Sequence, residues 1–139
     1  MDLAKALDFA RSHQGSVLTT IRRDTRPQLS NVTHWVGADG IIRISITADR
    51  AKYHNLRRVP WAALHVTSRD FWSYAVLEGD TELSSVAADP HDATVEELIT
   101  YYRALSGEHP DWDDYRRAMV ANRRAVVRFI PTRAYGALR

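Results

Sequence analysis

Two cations stand at the entrance of a short helical pattern, where the physics of helices disfavours them. Ser45-Ile46-Thr47-Ala48-Asp49 reads as a strand running into a helix over Arg50-Ala51-Lys52-Tyr53-His54-Asn55-Leu56-Arg57-Arg58. Arg57 and Arg58 suit the last turn, because that end of the helix dipole is negative. Arg50 and Lys52 fall in the first turn, beside the positive end and its free backbone N–H groups. The arrangement becomes favourable once an anion sits there, with N–H donors, dipole and two cationic side chains converging on a phosphate or carboxylate. Lys52 is one of two lysines among nineteen basic residues, so an ammonium at this position stands out. The competing reading sends Arg50 and Lys52 into water, paired with Asp49 or another neighbour.

The elements around this turn are legible from periodicity. Asp2 caps a helix with Leu3, Ala6, Leu7 and Ala10 at helical spacing, and Gly15 is expected to end it. Ser16–Ile21 alternates as a strand, and a polar turn over residues 23–26 leads into a second strand from Pro27 to Val36. Ala38-Asp39-Gly40 is a hairpin turn. Ile42, Ile44 and Ile46 then alternate with Arg43, Ser45 and Thr47, so the polar face of the third strand leads to Arg50 and Lys52. Strands are expected over residues 62–67 and 72–83, with Gly79 marking a bulge or close backbone approach. Asp89-Pro90 reads as the start of a helix bearing Val95, Leu98, Ile99 and Tyr102 on one face. Asp111 opens another, with its basic residues toward the end, and a last strand runs through residues 125–131 and 134–136.

The composition bounds the function. A chain of 139 residues, 45% hydrophobic, is expected to form one domain, residues 1–139, with a sizeable core. It has no Cys, which excludes disulfides and thiolate chemistry. Six His without paired spacing give no reason to expect a metal site. The net charge of +2 is small and its charges are interspersed, which disfavours nucleic-acid binding. The pairs Arg22-Arg23, Arg57-Arg58, Arg116-Arg117 and Arg123-Arg124 read as solvated faces. No apolar run suggests a leader or a membrane span, so the expected location is cytoplasmic, away from any membrane. Five or six antiparallel strands joined by hairpins suggest a small barrel, mainly β within the α+β class.

Together these segments resemble the flavin-binding split β-barrel proteins of the pyridoxamine-5'-phosphate-oxidase-like group, and within it the actinobacterial branch that uses the deazaflavin coenzyme F420. The carriers are residues 15–20, 26–32, Asp49-Arg50-Ala51-Lys52 with Asn55-Leu56-Arg57-Arg58, residues 72–79, and residues 107–116. The resemblance implies a six-stranded antiparallel split β-barrel with flanking helices, assembled as a homodimer with cofactor sites at the subunit interface. It implies that Arg50, Ala51 and Lys52, with Asn55 nearby, hold the cofactor phosphate. Pro27, Gln28, Leu29, Ser30 and Asn31 would line the ring system. Ser45, Thr47 and Ala48 would approach the ribityl chain, and Trp72 with Ser73 and Tyr74 would face the site. Trp35 and Trp72 are candidates for a stacking wall against a planar substrate, with packed aromatics the competing reading. Arg57, Arg58 and Arg133 are candidates for cations along the glutamyl tail of F420.

The activity implied is hydride transfer from reduced F420 to an unsaturated or planar organic acceptor, with the cofactor performing the redox chemistry. That is consistent with the lack of any catalytic triad or carboxylate pair. An FMN-dependent reductase or oxidase of the same group, or a non-catalytic flavin or F420 carrier, fits the same residues. Full-length pyridoxamine phosphate oxidases carry a basic C-terminal segment for the substrate phosphate, and none is seen after Tyr135-Gly136.

Overall fold

Alternation of β-branched and small residues with polar ones builds the six strands. They are β1 (Gly15–Ile21), β2 (Pro27–Val36), β3 (Ile42–Thr47), β4 (Trp61–Thr67), β5 (Tyr74–Leu83) and β6 (Arg124–Ala137). In this computed structural model, which describes residues 1–139, all pairings are antiparallel. The order β1-β2-β3-β6-β5-β4 closes through a β1–β4 ladder. Closure leaves one face of each strand inside. Leu18, Ile42, Ile44, Ile46, Leu64, Val66, Leu77, Val127 and Phe129 meet there, each at most 1% exposed. Helices α1 (Leu3–Ser12) and α2 (Ala51–Arg58) add Ala6, Ala10 and Leu56 to the same core. Helices α3 (Ala93–Ser106) and α4 (Trp112–Ala121) pack outside the barrel, where Val95, Leu98, Ile99 and Tyr115 cover Val126 of β6. None of the helices is long and apolar enough to cross a membrane.

One departure from regular pairing shapes the molecule. β2 pairs with β1 from Pro27 to Thr33, yet meets β3 only at His34↔Ile44, Trp35↔Arg43 and Val36↔Ile42. Before His34 on β2 and past Ile44 on β3 the two strands separate, while β3 stays paired along its other edge with β6 from Ile42↔Phe129 to Thr47↔Arg124. The barrel is split between β2 and β3.

Several boundaries differ from the sequence-based expectation, each for a local reason. Gly15 does not end α1. The helix stops at Ser12, His13 takes up extended backbone, and Gly15 is already paired in β1. α3 starts at Ala93 rather than at Pro90, because the Asp92 carboxylate accepts from Val95 N–H at 2.9 Å and outcompetes Asp89, which accepts from His91 N–H in the preceding turn. β5 begins at Tyr74, since Asp70 accepts from the Trp72 N–H at 3.1 Å and curls residues 70–72 into a turn with Phe71 at φ 72°. α4 has no basic residue in its last turn; Arg116 lies mid-helix and binds Glu96 at 2.6 Å. β6 is continuous through Pro131, whose missing N–H falls opposite the register shift at Glu78/Gly79.

Gly79 is required there. A Cβ would overlap the Ile130 carbonyl oxygen and lie 2.7 Å from Pro131 Cα. Both are backbone atoms, so the strand itself would have to shift. Gly79→Ala is expected to cost about 2–3 kcal/mol of stability, read as a lowered urea midpoint.

His34 ties α1 to the barrel wall. It is fully buried, with Nε2 2.9 Å from the Ala10 carbonyl and Nδ1 2.7 Å from Ser16 Oγ. The carbonyl can only accept, so Nε2 carries the proton and Nδ1 accepts from the Ser16 hydroxyl. Burial pulls the imidazole below its ordinary pKa of 6.5, with His13 adding repulsion and the Ala10 carbonyl opposing. Well above pH 6.5 His34 is neutral folded or unfolded and contributes no pH dependence. Below it the unfolded chain binds a proton that the folded chain refuses, so stability falls as pH drops. Urea midpoints measured from pH 8 to pH 5 should decline below about 6.5, and His34→Gln should flatten that decline.

Candidate functional site

Where β2 and β3 separate, their facing edges form the floor of a cavity of about 540 Å³. Asn31, Val32 and Thr33 of β2 and Ser45, Ile46 and Thr47 of β3 line it. Edges that do not pair with each other leave backbone N–H and C=O groups for side chains or a ligand. Two side chains take up part of this capacity. Tyr101 donates its hydroxyl to the Thr33 carbonyl at 2.6 Å, and Arg124 lies near the Ser45 carbonyl and hydroxyl at 3.5 and 3.4 Å. Tyr101, Tyr102, Tyr115 and Met119, from α3 and α4, form an aromatic and thioether roof.

The roof is held firmly. Tyr115 donates to the Leu98 carbonyl at 2.9 Å, and burial pushes its hydroxyl up to about 12, with Tyr101 adding to the rise. Burial also raises Tyr101, against the opposing pull of the Ser45 backbone and Arg124. Both phenols therefore stay protonated at neutral pH. Behind them Tyr102, His109, Trp112 and Tyr115 pack at centroid distances of 5.1–5.7 Å. On the other side of α3, Glu97 accepts from Arg43 at 3.2 Å and from Arg128 at 2.9 Å, which ties the helix to β3 and β6.

One end of the cavity is strongly positive. Arg50, Lys52 and Arg124 line it, and the lining contains no carboxylate. None of the three takes part in any ion pair. Arg124 Nε is buried without a hydrogen-bond partner. Burial lowers the Lys52 ammonium below the ordinary lysine value, and repulsion from Arg50 and Arg124 lowers it further. Arg50 is the N-cap residue of α2 but makes no side-chain capping bond; the Tyr53 N–H donates to the Arg50 carbonyl at 3.1 Å, and the Ala51 and Lys52 N–H groups remain for a ligand. Unpaired cations and free N–H groups in this arrangement suit an anion. Chemically, the cavity suits a ligand with a negatively charged group at one end and a planar, largely apolar body at the other, which is the build of a flavin-type mononucleotide.

The sequence-predicted residues divide by location. Asn31, Ser45, Thr47, Arg50 and Lys52 come together around this cavity. Ala51 is exposed beside them as the first residue of α2. Ala48 is buried, its N–H donating to the Arg123 carbonyl at 2.9 Å. Asn55 is buried behind the helix, donating to Thr20 Oγ1 at 3.1 Å and accepting from Arg58 at 3.2 Å. Pro27 and Leu29 are exposed, Gln28 meets the Thr20 hydroxyl, and Ser30 Oγ is buried without a partner; these four lie outside the cavity lining. Trp72 is 68% exposed in the β4–β5 turn beside Arg139, and Trp35 lies under Arg43, so neither walls the cavity.

The candidate tail cations are otherwise engaged. Arg58 binds the Ile21 carbonyl at 2.7 Å, Arg57 sits over Tyr53, and Arg133 pairs with Glu78 at 3.2 Å. Arg124 is the residue that sequence reasoning missed. As half of an Arg-Arg pair it reads as solvated, yet in β6 it faces Thr47 across the ladder and turns into the cavity. Tyr101, Tyr115 and Met119 were also missed as lining residues, because helical spacing alone does not tell which strand a roof will cover.

The profile of the family described as pyridoxamine 5'-phosphate oxidase matches residues 3–136. Among solved structures, the conserved hypothetical protein Rv2991 from Mycobacterium tuberculosis superposes with a TM-score of 0.74 at 24% identity, over 98% of this chain and 84% of the other. A protein named F420 reductase matches with a TM-score of 0.64 at 22% identity, over 92% of this chain and 94% of that one. A Listeria innocua protein named for pyridoxamine 5'-phosphate oxidase gives 0.67 at 18% identity, over 96% of each chain. At these identities the likeness is one of fold. The profile match is what decides: over nearly its whole length this chain belongs to the pyridoxamine 5'-phosphate oxidase family, whose members are commonly oxidoreductases with flavin-type cofactors.

Proposed function

We propose that this protein is an oxidoreductase that holds coenzyme F420 in the β2–β3 split and serves hydride transfer to an unsaturated or planar organic acceptor. The observation that carries the reading is the cluster of Arg50, Lys52 and Arg124, three cations that take part in no ion pair, at the end of a cavity roofed by tyrosines. When bound, the cofactor supplies the hydride chemistry. The chain binds and orients it. Arg50, Lys52 and Arg124 take the phosphate, with Arg124 Nε gaining the acceptor it otherwise lacks. Asn31, Ser45 and Thr47, with the free strand edges, are placed to hydrogen-bond the polar parts of the ligand. Tyr101, Tyr102, Tyr115 and Met119 exclude water from the apolar body. The resemblance to the F420 branch, and the F420 reductase among the structural neighbours, support the deazaflavin; FMN bears the same ribityl phosphate and is the comparison ligand.

A homodimer belongs to the same proposal. Phe71 and Trp72 are 81% and 68% exposed, and Tyr74 and Tyr135 stand exposed near them at the start of β5 and the end of β6. A patch of this kind marks a contact surface. Light scattering is expected to give about twice the chain mass of 15.8 kDa; a monomer that still binds cofactor would contradict the assembly.

Lys52→Ala tests the site. It removes one charge-assisted contact, worth about 1.5–3 kcal/mol, so affinity for F420 and for FMN should fall roughly 10- to 100-fold in a fluorescence titration. Lys52 takes part in no ion pair within the chain, so the melting temperature should hold. Unchanged affinity would remove the phosphate from this position. Oxidation of reduced F420 by an acceptor panel then separates an enzyme from a carrier, which would bind tightly without turnover.

A further inference from the structure

We infer that the Tyr101 hydroxyl stands in the place of a β2–β3 rung, and that this tyrosine is the positioning residue that sets where the barrel opens. The inference rests on the reading of the split as the ligand site and deepens it. His34↔Ile44 is the last pair between the two strands. Continued pairing would set Thr33 against Ser45, Val32 against Ile46 and Asn31 against Thr47. These six residues are the ones that floor the cavity. Both segments are already extended strand, each paired on its far edge. Their own backbone conformation does not prevent them from zipping together, so something else must hold them apart.

The register says which groups meet at the first open rung. Antiparallel pairs alternate between hydrogen-bonded and non-hydrogen-bonded positions. Gly37 N–H donates to the Ile41 carbonyl at 2.9 Å, so Trp35↔Arg43 and then Thr33 opposite Ser45 are the hydrogen-bonded positions. Residues of the other parity turn away from β3, as His34 N–H does in donating to the Gln14 carbonyl at 2.9 Å. The Thr33 carbonyl and the Ser45 N–H therefore face each other across the gap. Tyr101 donates its hydroxyl to that carbonyl at 2.6 Å, and the Ser45 backbone draws the phenol down against the rise that burial causes. A hydroxyl both donates and accepts, so one oxygen can serve the carbonyl of one strand and the N–H of the other. In the second half of the rung, Arg124 Nη1 lies 3.5 Å from the Ser45 carbonyl, and the Thr33 N–H is left for a ligand.

α3 is fastened so that this hydroxyl meets that rung and no other. Glu97 lies one turn before Tyr101 on the same helix face and accepts from Arg43 at 3.2 Å, two residues before Ser45 on β3. Four helical residues rise about 6 Å and two strand residues about 6.6–6.8 Å, so the two contacts match along helix and strand. Arg128 of β6 donates to the same carboxylate at 2.9 Å and fixes it from the other side. Tyr115 provides the contrast. Its hydroxyl is spent on the Leu98 carbonyl within the roof, at 2.9 Å. Of the two buried phenols, Tyr101 alone bonds a barrel strand, at the rung where pairing stops.

The test is amide hydrogen exchange by NMR on the ligand-free full chain, followed by a fluorescence titration with FMN, for wild type, Tyr101→Ala and Tyr115→Phe. Without the wedge the strands should gain a rung. Tyr101→Ala is expected to slow exchange of the Thr33 and Ser45 amides by about tenfold or more, and to weaken FMN about three- to tenfold as the floor shortens. Tyr115→Phe should slow neither amide. Exchange that is unchanged or faster in Tyr101→Ala, or slowed equally in Tyr115→Phe, overturns the inference. Slowed exchange with wild-type affinity for FMN upholds the wedge and removes the split as the ligand site. If Tyr101→Ala does not fold, the wild-type spectrum decides. A slowly exchanging Tyr101 hydroxyl proton with a nuclear Overhauser contact to the Ser45 N–H is expected, and a hydroxyl proton lost to bulk water overturns the inference.

Discussion

The separation of β2 from β3 after the His34↔Ile44 pair is the constraint on which the rest of the site depends. A fully laddered barrel would spend the edge groups of both strands on each other and leave nothing for a ligand. Here residues 45–47 of β3 are paired only on their β6 edge, and residues 27–33 of β2 only on their β1 edge. The gap exposes backbone and side chains from both strands to one cavity. The other ladders close the barrel, so the opening lies between two strands that are each paired on their far edge.

What borders the opening follows from connectivity. β3 ends at Thr47 and α2 begins at Ala51, so the helix entrance with Arg50 and Lys52 must lie at one end of the gap. β6 pairs with β3 up to Thr47↔Arg124, which brings a third cation to the same end. α3 and α4 pack over Val126 and lean their tyrosines across the gap, held there by Glu97 between Arg43 and Arg128 and by the Tyr101 hydroxyl on Thr33. Charge at one end and aromatic cover over the other are therefore consequences of one topology.

Repulsion among the cations is tolerated because folding does not require them to be paired. Burial and the neighbouring arginines both lower the Lys52 ammonium, and Arg124 Nε is left without an acceptor. Such unsatisfied polar groups are uncommon in folded proteins and tend to mark function. By contrast, the fully buried His34 has both ring nitrogens bonded and serves to join α1 to the barrel.

Much of the barrel was legible in the linear chain. Alternation in residues 16–21, 27–36 and 42–47 located three strands, and the odd placement of Arg50 and Lys52 pointed to an anion before any fold was known. Asp-Gly, Pro and Gly79 marked turns and the bulge through steric rules that act within a few residues. Helix starts were less legible where two aspartates competed, as at Asp89 and Asp92, because capping depends on which carboxylate reaches the free N–H groups. Arg124 could not be distinguished from a solvated arginine, since its environment is made by Thr47, Lys52 and Tyr101, which lie 23 or more positions away. Local pattern thus determined the strands and the basic helix entrance, because those depend on near-neighbour sterics and dipoles. Only tertiary structure decided where the barrel would open and which distant side chains would meet there, because register and strand order are set by long-range pairing.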